Sequence, residues 1–270
     1  MIYMINRNIS IPKKTLINLF LSEFIRPSRA LWSISESICI APFLKEINVN
    51  SLILDLGCGD GRVSTITLNK YKKVVGVDIN YFMAQKAKNK KCFESIIVAD
   101  GHNLPFRSLT FDFVISRSTI YNINHLTELI NEVQRIISSN GLFLFSTVSE
   151  SFSRDIIPSF AHFIGQSYSN RIIQASNIYS SSKWISLVKK QGFKNIKISY
   201  FLHSNTAKIW FLLDIFSVVL SFFRLSDGTT GLIRKKYANL RCFFFSTLFN
   251  AIIQSSNSGG GLLIYVKKKS

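Results

Sequence analysis

The first chemical signal in this 270-residue chain is a run of closely spaced glycines flanked by aspartates. Asp55 stands two residues before Gly57-Cys58-Gly59-Asp60-Gly61, and Asp78 and Asp100 each close a later apolar run. Glycine permits positive φ and lets a ligand approach the main chain closely. A helix starting directly behind such a loop presents free N–H groups to a polar or anionic ligand group. The dinucleotide fingerprint GxGxxG would need a third glycine where Arg62 stands. The spacing GxGxG, preceded by Asp55, argues against a bound pyrophosphate and for a smaller nucleoside ligand.

The elements needed to position these residues follow from the hydrophobic pattern. Ser51–Leu56, Lys73–Val77, Ser95–Ala99, Phe111–Ser116 and Gly141–Val148 are short apolar runs of strand length. Arg62–Leu68, Tyr81–Lys90 and Leu126–Ser138 fall between them as helices, the last with Leu129, Ile130, Val133 and Ile137 on one face. Alternation of this kind calls for a parallel sheet covered on both faces. A helix at Lys183–Gln191 stops at Gly192, a C-terminal cap. Strands at Ile196–Phe201 and Leu262–Lys267 bring the expected number to seven. The fold class is α/β, a Rossmann-like, seven-stranded, mostly parallel sheet. Residues 1–48 form an N-terminal helical lid. Residues 49–202 and 259–270 form the Rossmann-like domain. Residues 203–258 are a hydrophobic, basic helical insertion before the last strand. The stretch Ser255–Gly261 reads as a flexible loop.

With these motifs in order, the chain resembles the class I S-adenosylmethionine-dependent methyltransferases, specifically the group called methyltransferase type 11. The resemblance spans roughly residues 48–148 and rests on Leu52–Gly61, Val74–Ile79, Val98–Phe106, Phe111–Tyr121 and Glu132–Leu144. It implies S-adenosyl-L-methionine as the cofactor. Asp55 and the backbone of Gly57, Cys58, Gly59 and Gly61 would hold its methionine end. Asp78 would accept both ribose hydroxyls, which suits an acceptor-only carboxylate, and Ile79 would pack on the adenine. Asp100 would accept the adenine amino group beside the Gly101 and His102 backbone. Ser116 and Arg117 would line the methyl-transfer site.

Methyl transfer from a sulfonium is an in-line displacement, so the protein mainly positions the nucleophile. A general base is needed only for a poorly ionised acceptor. Tyr121, His125 and Arg117 are the polar candidates near the expected site, and packing or surface roles compete for the first two. The tetrapeptide (D/N/S)-P-P-(Y/F) of many amino-methylating enzymes is replaced by Ser116-Arg117-Ser118-Thr119, and the chain has no Pro-Cys pair. Both absences weaken a nucleic-acid acceptor.

Composition adds a second theme. Lys and Arg number 33 against 15 Asp and Glu, a net charge of +18, and 47% of residues are hydrophobic. Such an excess suits an anionic membrane face or nucleic acid, while a Lys-rich solvated surface is the plainer explanation. Four scattered cysteines without a CxxC pair suggest neither a metal site nor a disulfide frame, and fit a cytoplasmic location. Ile209–Phe223 and Cys242–Ile253 are apolar yet shorter than the ~20 residues of a bilayer span. The sequence therefore predicts a methyltransferase acting on a small-molecule or lipid-linked acceptor, peripheral on the inner membrane face through 203–258. An RNA-directed methyltransferase and a non-catalytic scaffold of the same fold are the competing expectations. The oligomeric state is left open.

Overall fold

Alternation within β1 (Leu52–Leu56) decides which side chains face which layer: Leu54 and Leu56 join one core, Ile53 the other. The structure is a computed structural model that describes residues 12–24, 26–152, 176–222, 243–253 and 258–269. β1 pairs in parallel with β2 (Lys73–Asp78) and β4 (Phe111–Ser116). β3 (Ser95–Val98) extends one edge, and β5 (Ile137–Val148) follows β4. The last strand, β7 (Gly261–Lys268), inserts antiparallel between β5 and β6 (Phe193–Phe201). The order β3-β2-β1-β4-β5-β7-β6 is a seven-stranded, mostly parallel, Rossmann-like sheet.

Helices cover both faces. On one, α5 (Leu126–Ile136) and α6 (Ser181–Lys190) press Leu129, Val133, Trp184 and Val188 onto Leu54, Val114, Phe143 and Ile264. On the other, the C-terminal half of α2 (Pro27–Lys45) packs Ile40, Phe43 and Leu44 against Phe113, Ile115, Leu144 and Tyr265. Short α3 (Arg62–Thr67) and α4 (Tyr81–Lys88) follow β1 and β2. α5 stops two residues before the expected Ser138, because Ile137 pairs with Phe111 and opens β5.

The N-terminal helices and the insertion before the last strand share a core in space. Leu16, Ile17, Phe20 and Leu21 of α1 (Lys13–Glu23) meet Ala30, Leu31 and Ile34 of α2. Ala207, Trp210 and Phe211 of α7 (Ser204–Phe222) join them, with Phe249 of α8 (residues 243–252). Polar ties fix the assembly: Ser28 Oγ donates to Asp214 Oδ1 at 2.6 Å, and Lys13 Nζ donates to the Asn250 and Ile253 carbonyls at 2.8 Å. α7 begins five residues before the apolar run expected from Ile209.

The expected flexible loop at Ser255–Gly261 is corrected in its second half. Residues 254–257 lie outside the described residues, but Gly259–Gly261 are buried and packed. A Cβ on Gly259 would stand 2.3 Å from the Phe201 carbonyl oxygen. These glycines are close-approach residues between β6 and β7, not a hinge. Among the described residues, no helix is long and apolar enough to cross a membrane.

Candidate active site

Chain order reverses between β1 and β4. Open α/β sheets bind ligands at such a point, beyond the carboxyl ends of the strands. A cleft of about 720 Å³ opens there, lined by Gly57 after β1, Asp78 at the end of β2 with Ile79 next to it, Asp100–His102 after β3, and Ser118 and Thr119 after β4. Gly57 has φ 76°, and a Cβ there would meet Thr119 Cγ2 at 2.4 Å, so only glycine lets β1 turn against the β4 loop. The turn is pinned by the Gly57 and Cys58 N–H groups, which donate to the Val77 carbonyl at 2.8 and 3.0 Å.

Asp78 is fixed by two backbone donors, Gly59 N to Oδ2 at 2.7 Å and Asn80 N to Oδ1 at 2.8 Å. A carboxylate has about four lone-pair sites, so each oxygen keeps capacity for one more donor. Ile79 lines the cleft with 69% of its surface exposed, a large apolar side chain held out where a flat ring could stack. Asp100 accepts from His102 N at 3.0 Å and faces His102 Nδ1 at 2.6 Å. The His102 backbone donor, then its ring, hold the Asp100 carboxyl below its usual range. His102 Nε2 lies 2.8 Å from the Asn124 carbonyl. Partial burial pulls the imidazole down, but the Asn124 carbonyl and Asp100 outweigh it, and its pKa is raised. His102 thus clasps the β3 loop to the segment before α5.

Several sequence-flagged residues lie beneath this cleft rather than in its wall. Asp55 is 1% exposed and accepts from Ser64 Oγ of α3. Alternation explains this: Asp55 shares the Ile53 side of β1, whereas Leu56 reaches the cleft. Burial raises the Asp55 pKa, with Arg117 and Ser64 opposing. Arg117 turns the same way, with Nη2 3.6 Å from Asp55 and donating to Ser64 Oγ at 2.7 Å, and Nη1 donating to Thr67 Oγ1 at 2.6 Å. Ser116 is buried and donates to the Leu56 carbonyl at 2.9 Å. Cys58 is partly buried, and its thiol is pushed up, by burial first and then by Asp55 and Asp78. Gly59 has open space where a Cβ would stand, and Gly61 caps α3. Together these residues brace the loop on α3.

A second cavity, about 450 Å³, lies under the helical cap. Its walls are Phe24, Trp32, Tyr121, Phe152 and Trp210, with exposed Arg26 and Arg29 and buried Asp214. The Trp32 ring packs against Phe201, Phe152 and Trp210 with centroids 5.1–5.9 Å apart. Ser118 lines both cavities and has a left-handed φ of 51°, strain that a non-glycine residue carries only where its surroundings impose it. Its Oγ accepts from Trp32 Nε1 at 2.9 Å and donates to Glu36 Oε1 at 3.0 Å. Ser146 Oγ donates to the same Glu36 oxygen.

Of the other sequence candidates, Tyr121 enters this second cavity, but burial pushes its phenol up to about 12, with Glu36 adding and Arg29 opposing. It stays protonated near neutrality. His125 opens α5 at the far end of the first cleft, 73% exposed on its side chain and 6.4 Å ring to ring from His102. Glu36, Ser118 and Trp32 were missed as site residues. One signal was available: Glu36 is the single acidic residue of α2, flanked by Ser35 and Ser37 in a helix otherwise rich in apolar residues. Among the described residues, no group of three His, Cys, Asp or Glu side chains is placed to hold a metal ion.

Residues 54–145 match a family model described as a methyltransferase domain. An uncharacterized protein of Methanocaldococcus jannaschii is 36% identical over 105 residues, covering 39% of this chain and 40% of that protein. The malonyl-[acyl-carrier protein] O-methyltransferase of Hamiltonella defensa is 27% identical over 128 residues, covering 47% and 50%. This chain therefore spans half or less of the length of these two relatives. Among solved structures, an S-adenosylmethionine-dependent methyltransferase of Thermotoga maritima, a possible histamine N-methyltransferase, has TM-score 0.59 at 18% identity over 95% of this chain and 100% of that one.

Proposed function

We propose that this chain, whose residues 54–145 belong to the methyltransferase-domain family, transfers a methyl group from S-adenosylmethionine to a small apolar or lipid-like acceptor. One observation carries the reading: Gly57, Asp78, Ile79 and Asp100 line a single cleft at the switch point of the sheet. The residues fit the donor. Asp78 has acceptor capacity for two ribose hydroxyls, Ile79 offers an apolar platform for adenine, and Asp100 supplies an acceptor at the adenine edge. The open space at Gly59 leaves room for the methionine end along the loop. When bound, the donor supplies an electrophilic methyl carbon. The chain's own residues hold the donor's ends and wall the acceptor cavity with aromatic rings.

The acceptor reading rests on the second cavity, which meets the first at Ser118. Its size suits a small molecule or one end of a lipid. A membrane face fits the outer side of the cap. Leu212 and Phe216, one turn apart on α7, are exposed, as are Phe243 and Phe244 at the start of α8. Exposed aromatics on a chain of net charge +18 suit an interfacial helix on anionic lipid. The test is methyl-labelled S-adenosylmethionine incubated with a lipid extract and with water-soluble acids and phenols. Label in the organic phase is expected, and label in no acceptor would overturn the reading. In co-sedimentation, binding to phosphatidylglycerol vesicles but not to phosphatidylcholine vesicles is expected, weakened by Phe243→Asp. Equal binding to both, or to neither, would overturn the membrane part.

A further inference from the structure

We infer that Glu36 receives, through Ser118, the proton that the acceptor loses, so the acceptor attacks through a protonated hydroxyl rather than an already ionised group. The inference rests on the reading of the first cleft as the methyl donor's site and adds to it the chemical class of the acceptor.

Ser118 is the side chain common to both cavity walls. A serine hydroxyl has one proton to donate and two lone pairs to accept with. Its proton goes to Glu36 Oε1 and one lone pair takes the Trp32 N–H. The remaining lone pair has room for one donor, and the second cavity is where that donor would come from. An O–H satisfies it, whereas a carboxylate or phenolate would set oxygen lone pairs against it. The positive φ of Ser118 and the Ser146 hydroxyl, which accepts from the Ser118 N–H at 2.8 Å, hold the serine at this junction.

Glu36 is suited to the proton's destination. It is 2% exposed, so its charge is relieved by only a few groups. Ser118 and Ser146 donate to it. Arg117, following β4, is the cation that favours its ionised form, while Asp55 opposes ionisation. Tyr121 and Cys39 face it as protonated groups, each with a pKa pushed up to about 12, first by burial and then by Glu36. Burial, ahead of the opposing Arg117 and serine contributions, raises the Glu36 pKa, the direction that strengthens a carboxylate as a proton acceptor. The step balances: the acceptor oxygen bonds to the methyl carbon as the carbon–sulfur bond breaks and the sulfonium becomes a thioether. The acceptor proton passes to Ser118 Oγ, whose own proton passes to Glu36. Glu36 acts through Ser118 and is a positioning and proton-holding residue.

Two experiments test this. Binding of 4-propylphenol and of 4-propylanisole, which lacks the proton, is measured by calorimetry with and without S-adenosylhomocysteine. The phenol is expected to bind about tenfold more tightly, the worth of one good hydrogen bond. Ser118→Ala should erase that preference while leaving the anisole affinity unchanged. Absence of the preference in the wild type, or its survival in Ser118→Ala, overturns the inference. In the second, methylation of the phenol is followed against pH. The wild-type rate should fall on the acid side as Glu36 takes up a proton. Glu36→Gln should lower the rate about 10²-fold and abolish that acid limb. An infrared carboxyl band titrating over the same range in the wild type, and missing in Glu36→Gln, is the readout independent of turnover. An unchanged pH profile in Glu36→Gln overturns the relay. Failure of the wild type to bind S-adenosylhomocysteine would instead overturn the donor reading, and the phenol preference in the unliganded chain still decides the relay.

Discussion

The two cavities that meet at Ser118 are built by different means. The first is made of backbone turns and carboxylates at the ends of consecutive parallel strands, each held by main-chain N–H groups. The second is made of aromatic side chains from α2, α7 and the segments that follow α1, β4 and β5, far apart in sequence and held by packing. A donor that carries its own activation needs fixed acceptors at fixed spacings. An acceptor pocket has to be shaped, and packed rings are a ready way to shape it. On the proposed reading, the sheet edge specifies the donor and the helical cap specifies the acceptor.

The largest effect is expected where the two regions share a foundation. Arg117 is the buried cation that favours ionisation of both Asp55 and Glu36. Arg117→Ala leaves those carboxyls without it and should cost about 3–5 kcal/mol of folding stability. Denaturant unfolding reads this directly, and a loss below about 1 kcal/mol would mean that the buried charges are neutral by protonation. Next comes the sheet edge alone. Gly57→Ala forces an unfavourable φ and a clash with Thr119. It should weaken donor binding at least tenfold with little change in 4-propylanisole binding, both measured by calorimetry. The cap alone comes third. Trp32→Phe keeps a ring but loses the N–H to Ser118, and should cost about 1 kcal/mol of stability. It should alter acceptor binding severalfold and leave donor affinity unchanged. A change in donor affinity as large as that of Gly57→Ala would dissolve the division between the regions.

The smallest effect concerns the His102 clasp. Its folded pKa is raised above the unfolded value. Its contribution is therefore fully present below the unfolded histidine pKa of about 6.5 and is lost as pH rises through the higher folded value. NMR titration of the His102 ring should give a midpoint above the ordinary histidine value of about 6.5. A midpoint below that value would remove the clasp.

The same contrast explains what was legible in the sequence. Strand alternation, the glycine loop and the aspartates at strand ends are local patterns, and the seven mostly parallel strands and the lining positions of Asp78, Ile79 and Asp100 agree with them. The places of Asp55 and Arg117 were not legible, because the side of a strand on which a polar residue lies depends on which neighbour can satisfy it. Ser64 and Thr67 on α3 draw both beneath the loop. The second cavity left no local trace. Trp32 sits within the N-terminal helical lid with nothing beside it in sequence to mark it, and only the fold brings Phe152 and Trp210 beside it. Gly259–Gly261 misled in the opposite sense, since glycine permits close packing as readily as it permits freedom.

The central claim is tested most directly by titrating S-adenosylmethionine into the full chain and into Asp78→Ala. Removing a carboxylate placed to accept two hydroxyls should cost about 3 kcal/mol, on the order of 10²-fold in affinity. Saturable binding by the wild type and a loss of that size in Asp78→Ala is the predicted result. No binding, or equal binding by both, would contradict the account.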